Sequence, residues 1–284
     1  MTEVSRPTFG MSTHLFHDQR LSRDHLSRIA AHGFDSIEVF ATRTHFDYHD
    51  RSAIAQLGEW LRETGLRLHS IHAPITRSLT NGQWGPAFSN ATADEAERTR
   101  AVDETNAALN IAREIETRYM VVHLGVPTVQ NPPPQDNQRA AARRSVEQIH
   151  ALAQPIGVEV ALEVIPNGIS TASSLVTMIE DDLELARLGI CMDFGHAFLL
   201  GDPVEAVETV SGHVVTTHVH DNHGRRDDHL MPFDGAIDWT TALMSMQKVG
   251  YESTYMFEVA NTSAPDRVLQ EAARVRKKFE EILR

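Results

Sequence analysis

With a single cysteine, Cys191, in 284 residues, the chain has neither an intrachain disulfide framework nor a cysteine-built zinc cluster. No run of eighteen apolar residues occurs, so no membrane span is expected. Met1–Gly10 carries Arg6 but no apolar stretch, so no secretory leader is expected and the cytoplasm is the expected compartment. Positive charge is scarce: 26 Lys and Arg against 39 Asp and Glu leave −13 with histidines neutral. A nucleic-acid footprint needs clustered cations, so that class of partner is not expected. Low-complexity tracts and solenoid repeats are absent, as is a Gly-rich phosphate loop after the first strand, which argues against an open doubly wound sheet. What is abundant is histidine, sixteen in all, within an ordinary globular balance of 41% hydrophobic and 23% charged residues.

Short apolar runs alternate with longer amphipathic stretches. The runs predict strands over Thr8–Ser12, Ser36–Phe40, Leu66–Ile71, Tyr119–His123, Val158–Val164, Leu188–Met192, Val214–Val219 and Tyr255–Val259. Helical patterns fall at Ser22–His32, Arg51–Thr64, Ala93–Thr117, Gln138–Gln154, Ser173–Leu185, Val204–Ser211, Trp239–Val249 and Pro265–Leu283. Gly33, Gly65 and Gly250 punctuate helix ends, and Ser173 and Asp202-Pro203 read as helix starts. Eight strands alternating with eight helices predict a single α/β domain over residues 1–284, a (β/α)8 TIM barrel. Three longer loops, Ala73–Thr92, Gly125–Asn137 and His220–Asp238, leave strand C-termini, the barrel face that carries active sites.

Metal-capable side chains fall at those strand ends. His72 ends the third strand, His123 the fourth, Glu163 the fifth and Asp193 the sixth, with His196 three residues on. His218 and His220 end the seventh, Glu258 the eighth, and Asp227 and His229 lie in the loop after the seventh. A lone strand-end histidine is more often a core residue than a ligand. Six successive strand ends converging on one axial spot are a different matter, and Glu163 sits in a near-apolar run where an unpartnered carboxylate is costly. Mixed imidazole and carboxylate suits Zn, Mn, Fe or Co better than Mg or Ca, and Glu163 could bridge two ions. His220 shares the face of His218 and rivals it, whereas His69, three residues from His72, has opposite-face parity. Glu38 has barrel-facing parity as a substrate contact or a buried, paired carboxylate, and Arg226 is a candidate for an anionic or hydroxyl-rich substrate. His14, His17, His32, His45, His49, His150 and His213 read as surface or structural. Trp84, Phe88 and Phe233 read as pocket-lining residues or as loop anchors, with anchoring favoured, and Cys191 as a buried strand residue.

In these residues the sequence resembles the xylose isomerase-like TIM barrels, a superfamily that includes tagatose 3-epimerase-type sugar epimerases and endonuclease IV. The resemblance extends from Phe9 to about Phe279. It implies one divalent metal on Glu163, Asp193, His218 and Glu258, with the two glutamates as an acid/base pair and His196 and Arg226 as substrate contacts. The likeness to endonuclease IV implies further ligands: His72 in His-Ala-Pro, His123 in Val-Val-His-Leu-Gly, and His196, Asp227 and His229, with His218 favoured over His220. One to three ions of Mn, Zn or Co are therefore expected. The loop 74–92 has Arg77 as its one basic residue, unlike a DNA reader. The expected activity is metal-dependent isomerisation or epimerisation of a sugar or sugar-like ketone through an enediolate, with a lyase as a close variant. The alternatives are a multinuclear zinc phosphoesterase of the endonuclease IV kind and a metal-dependent binding protein without catalysis. Expected partners are a small carbohydrate-like molecule and, for a soluble enzyme of this kind, further copies of the chain, with neither nucleic acid nor membrane.

Overall fold

A computed structural model describes residues 7–80, 82–261 and 263–284. Eight parallel strands close into one barrel: β1 (Thr8–Ser12), β2 (Ser36–Phe40), β3 (Arg67–His72), β4 (Tyr119–Val122), β5 (Glu159–Glu163), β6 (Leu188–Asp193), β7 (Val214–Val219) and β8 (Thr254–Phe257). Each pairs with its sequence neighbours, and β1 closes the ring against β8 through Thr8↔Thr254 to Met11↔Phe257. Near-continuous burial along every strand is what parallel strands covered by helices require. The main apolar core lies between this sheet and the helices. Val121, Ala161 and Cys191 form a small second cluster, on the face of β4–β6 that also carries His123, Glu163 and Asp193.

Three of the helices illustrate how the chain sets its boundaries. The helix Arg51–Thr64 starts where the Asp50 carboxylate accepts from Ser52 N and stops at Gly65, whose φ of 74° suits a left-handed cap. Asp202 caps Pro203–Thr209 as its Asp-Pro start suggests. The Ser173 start is corrected: Thr171 caps Ala172–Thr177 by accepting from Ser174 N, and a π turn follows at Met178–Asp182. The long pattern Ala93–Thr117 breaks into Glu95–Ala108 and Asn110–Glu114. An additional helix, Phe194–Leu200, begins directly at the end of β6.

Two register shifts matter for the site. Between β2 and β3 the pairing jumps from Ile37↔Leu68 to Glu38↔Ser70, leaving His69 as an extra residue. Its Nε2 reaches Thr216 Oγ1 at 3.0 Å, on the strand across the barrel, so His69 points inward together with His72. The opposite-face expectation for this pair fails because a bulge breaks the two-residue alternation. A second shift, at Ile190/Cys191 against Val214/Thr216, lies below Asp193 and His218, which pair directly. Among the described residues no helix is long and apolar enough to cross a membrane.

Candidate metal centre

At the C-terminal end of the barrel, Glu163 closes β5, Asp193 β6 and His218 sits near the end of β7, while Glu258 follows β8. Ligand atoms of these four lie within 4.8 Å of one another. His218 Nδ1 is 3.2 Å from Glu163 Oε1, 3.5 Å from Glu258 Oε2 and 3.7 Å from Asp193 Oδ2. Its other nitrogen donates to Glu38 Oε2 at 3.1 Å, and the same oxygen accepts from Ser70 Oγ at 2.8 Å. Glu38 therefore orients the ring and leaves its Nδ1 turned toward Glu163, Asp193 and Glu258. It is fully buried and does not line the cavity.

The spacing of Asp193 and His196 has a local cause. Asp193 caps the helix Phe194–Leu200, its Oδ1 accepting from His196 N at 2.7 Å, so the histidine lies one turn above the carboxylate. A second group contains His72, His123 and Glu163: both Nε2 atoms approach Glu163 Oε2, at 3.2 and 3.0 Å. A third contains His196, His220, Asp227 and His229. Glu163 belongs to both of the first two groups and also to one with Cys191 and His218.

The electrostatics are those of a cation site. Burial opposes ionisation of Glu163, yet His123 and His218 outweigh it and hold the carboxyl well below the usual range. Burial likewise opposes a charge on Asp193, and His196 and His220 lower its pKa all the same. Burial would neutralise His218, but the surrounding Cys191, Glu258, Glu38 and Glu163 raise it well above the ordinary imidazole value. A field that draws a proton onto a buried imidazole is one that draws in a metal ion. Glu163 Oε1, His218 Nδ1 and His123 Nε2 are sealed from solvent and make no hydrogen bond. Unpartnered lone pairs converging from mixed N and O donors fit a divalent transition metal.

Above the centre lies a cavity of about 610 Å³. His72, His123, His196, Asp227, His229 and Glu258 line it, while Glu163, Asp193 and His218 are fully buried and outside its lining. Its lining also includes His14 and His17, read from sequence as surface or structural, and Trp84 and Phe88, for which pocket lining was the second of two readings. His14 stacks on His229 with centroids 4.8 Å apart, and His17 on Trp84 at 5.4 Å. The signal available for them was a pair of histidines three residues apart just past β1. Phe233 is an anchor as expected, packing against Trp239 and Phe279. Arg226 does not line this cavity; its side chain is 82% exposed and borders an adjoining cavity of about 410 Å³ that shares Asp227.

A family model described as xylose isomerase-like TIM barrel matches residues 26–279. An uncharacterised protein of Methanocaldococcus jannaschii is 30% identical over 265 residues, covering 89% of this chain and 84% of that one. A crystal structure of a D-tagatose 3-epimerase-like protein superposes with a TM-score of 0.80 at 25% identity, over 97% of this chain and 98% of the other. A crystal structure of IolI protein with a bound zinc atom shares the fold, with a TM-score of 0.72 at 18% identity and coverage of 97% and 98%.

Proposed function

Because the chain belongs to the xylose isomerase-like TIM barrel family, we propose that it is a divalent-metal-dependent isomerase or epimerase of a sugar or sugar-like ketone. The observation that carries the reading is two carboxylates, Glu163 and Glu258, in one buried four-residue cluster beneath a cavity of small-molecule size. The D-tagatose 3-epimerase-like neighbour and the zinc bound in IolI protein support it. Glu163, Asp193, His218 and Glu258 would hold the ion, which supplies Lewis-acid polarisation of the substrate carbonyl. Glu258 borders the cavity and is the residue proposed to remove a proton beside the carbonyl. Glu163, within 4.8 Å of it, is proposed to return a proton to the neighbouring carbon or the opposite face of the enediolate. His196, also on the cavity lining, is proposed to contact substrate hydroxyls.

The test is deuterium incorporation from D2O into a panel of ketoses and cyclic polyol ketones by the metal-replete protein. Expected are exchange at the carbon beside the carbonyl and a rate about 10²–10⁴-fold lower in Glu258→Gln. Phosphate-ester hydrolysis without carbon exchange would contradict it. That outcome belongs to a second reading, a multinuclear phosphoesterase, which one observation favours: the three ligand groups together contain all nine residues expected of such a site.

A further inference from the structure

One wall of the cavity comes from the β1–β3 side of the barrel and takes no part in the proposed proton transfer. After β1 the chain turns through Thr13–Phe16. There Ser12 Oγ accepts from His14 N at 3.3 Å and Thr13 Oγ1 accepts from Phe40 N at 2.9 Å. The turn is thereby tied to the end of β2 and brings His14 and His17 to the cavity beside Phe40. A two-stranded hairpin, Leu79–Thr80 against Gln83–Trp84, adds Trp84 from the loop after β3. The rings pack in a row by centroid distance. Trp84 stacks on His17 at 5.4 Å and meets Phe40 edge-on at 6.3 Å. Phe40 meets His14 edge-on at 5.0 Å, and His14 stacks on His229 at 4.8 Å.

This wall is mostly aromatic surface with few polar atoms. Trp84 remains 48% exposed, which leaves a broad ring face for a ligand. His14 is 7% exposed and its Nδ1 is sealed without a hydrogen-bond partner, so Nε2 is the nitrogen it can offer to the cavity. His17 donates Nδ1–H to His14 O at 2.5 Å; a carbonyl only accepts, so His17 Nε2 is left as an acceptor. A hydroxyl both donates and accepts, and so matches these nitrogens in either tautomer. Among the described residues no Lys or Arg lines the cavity, whereas Asp227, Asp228 and Glu258 do. Arg225 and Arg226 border the adjoining cavity instead. Such a lining disfavours a phosphorylated ligand and suits an uncharged one with hydroxyls at its edge and C–H bonds on its faces.

We propose that His14, His17 and Trp84 form the recognition wall of the site. Trp84 covers the C–H face of an uncharged polyol ketone, and His14 Nε2 bonds one of its hydroxyls. Specificity then lies with the turn after β1 and the hairpin after β3, on side chains that hold the ligand without moving its protons. That the ligand is a ketone rests on the isomerase reading; that it is polyhydroxylated and uncharged does not.

The experiment is saturation-transfer difference NMR on zinc-loaded protein, irradiating aromatic protons. The probes are D-fructose, its terminal phosphate ester and the cyclic ketone scyllo-inosose. The proteins are wild type, His14→Phe, Trp84→Ala and Met244→Ala, each checked for folding by circular dichroism. Expected in wild type is transfer to the C–H protons of at least one uncharged ketone. Trp84→Ala loses most of it. His14→Phe, which keeps a ring and removes the nitrogen, weakens binding about 3–10-fold, the worth of one hydrogen bond. Met244, 57% exposed and outside the cavity lining, can be truncated without effect. The proposal is overturned by wild-type binding in either folded cavity variant, by no transfer to either uncharged ketone, or by tighter binding of the phosphate ester than of fructose. Should His14→Phe fail to fold, Trp84→Ala carries the test, because a half-exposed ring can be removed without opening the core. Turnover does not enter the readout, so failure of the isomerase reading shows separately, as absent deuterium exchange with saturation transfer intact.

Discussion

Glu38 is outside the cavity lining, yet it accepts from both His218 Nε2 and Ser70 Oγ, so it orients the imidazole proposed as a metal ligand. A buried carboxylate behind a metal-binding imidazole fixes the ring and raises its basicity. Glu38→Gln keeps the shape and removes the charge. Its expected effect is about 10-fold weaker metal binding with the fold retained, measured by calorimetric titration with Zn or Mn; unchanged affinity would remove Glu38 from the account. A second residue, His45, is structural. Burial, the largest influence, lowers its pKa to about 4, partly offset by its bond to Gln19 O at 2.6 Å. The ring is therefore neutral in the fold, and the unfolded chain binds the extra proton first. Its contribution is fully present above the ordinary value of 6.5 and is lost as pH falls from there towards 4, about 3 kcal/mol at the acid end. Urea unfolding between pH 7 and 4 should show that loss and His45→Gln should flatten it; an equal slope in both proteins would contradict it.

The loop His220–Asp238 is the element on which the placement of Asp227 and His229 depends, and Asp221 is its anchor. This fully buried carboxylate accepts from the backbone N–H of Asn222, Phe233, Ala236 and Ile237 and from Trp239 Nε1, at 2.8–3.2 Å. Removing it leaves four of these five donors unmatched, since Ala236 N also donates to Asn222 O at 2.9 Å. Asp221→Ala is expected to cost about 3 kcal/mol and to raise hydrogen exchange across residues 222–237, carrying Asp227 and His229 out of place. Exchange confined to wild-type levels there would show that the loop is held otherwise. The anchoring role was not legible in the sequence, which carries no mark of the donors that converge on Asp221. By contrast Asp193 and His196 were legible, because a strand-end Asp followed three residues later by His is also a helix cap that sets their spacing. The bulge at His69 was not, since two-residue alternation carries no mark of an inserted residue. His14 and His17 escaped for a related reason: a short 3-10 turn at Thr13–Phe16, not a strand, brings them beside the cavity.

At the scale of the molecule, the alternation of apolar runs and helical patterns was sufficient for the closed eight-stranded barrel, because each parallel strand must be covered on both faces. The convergence of the six strand ends followed from closure, whereas the narrowing to Glu163, Asp193, His218 and Glu258 came from the family resemblance alone, before any distance was known. What closure could not supply was depth. It did not separate the buried Glu163, Asp193 and His218 from the residues that line the cavity, nor did it place Arg226 beside a neighbouring one. Depth also sets Glu163 apart, since it is shared by three candidate ligand groups and contacts His72, His123, His196 and His218 at 3.0–3.3 Å. The most direct measurement is therefore the metal content per chain of wild-type protein and Glu163→Gln after equal loading and dialysis, with circular dichroism to confirm that both are folded. The account predicts that wild type retains tightly held metal and that Glu163→Gln loses the core ion; equal metal content in the two folded proteins would contradict it.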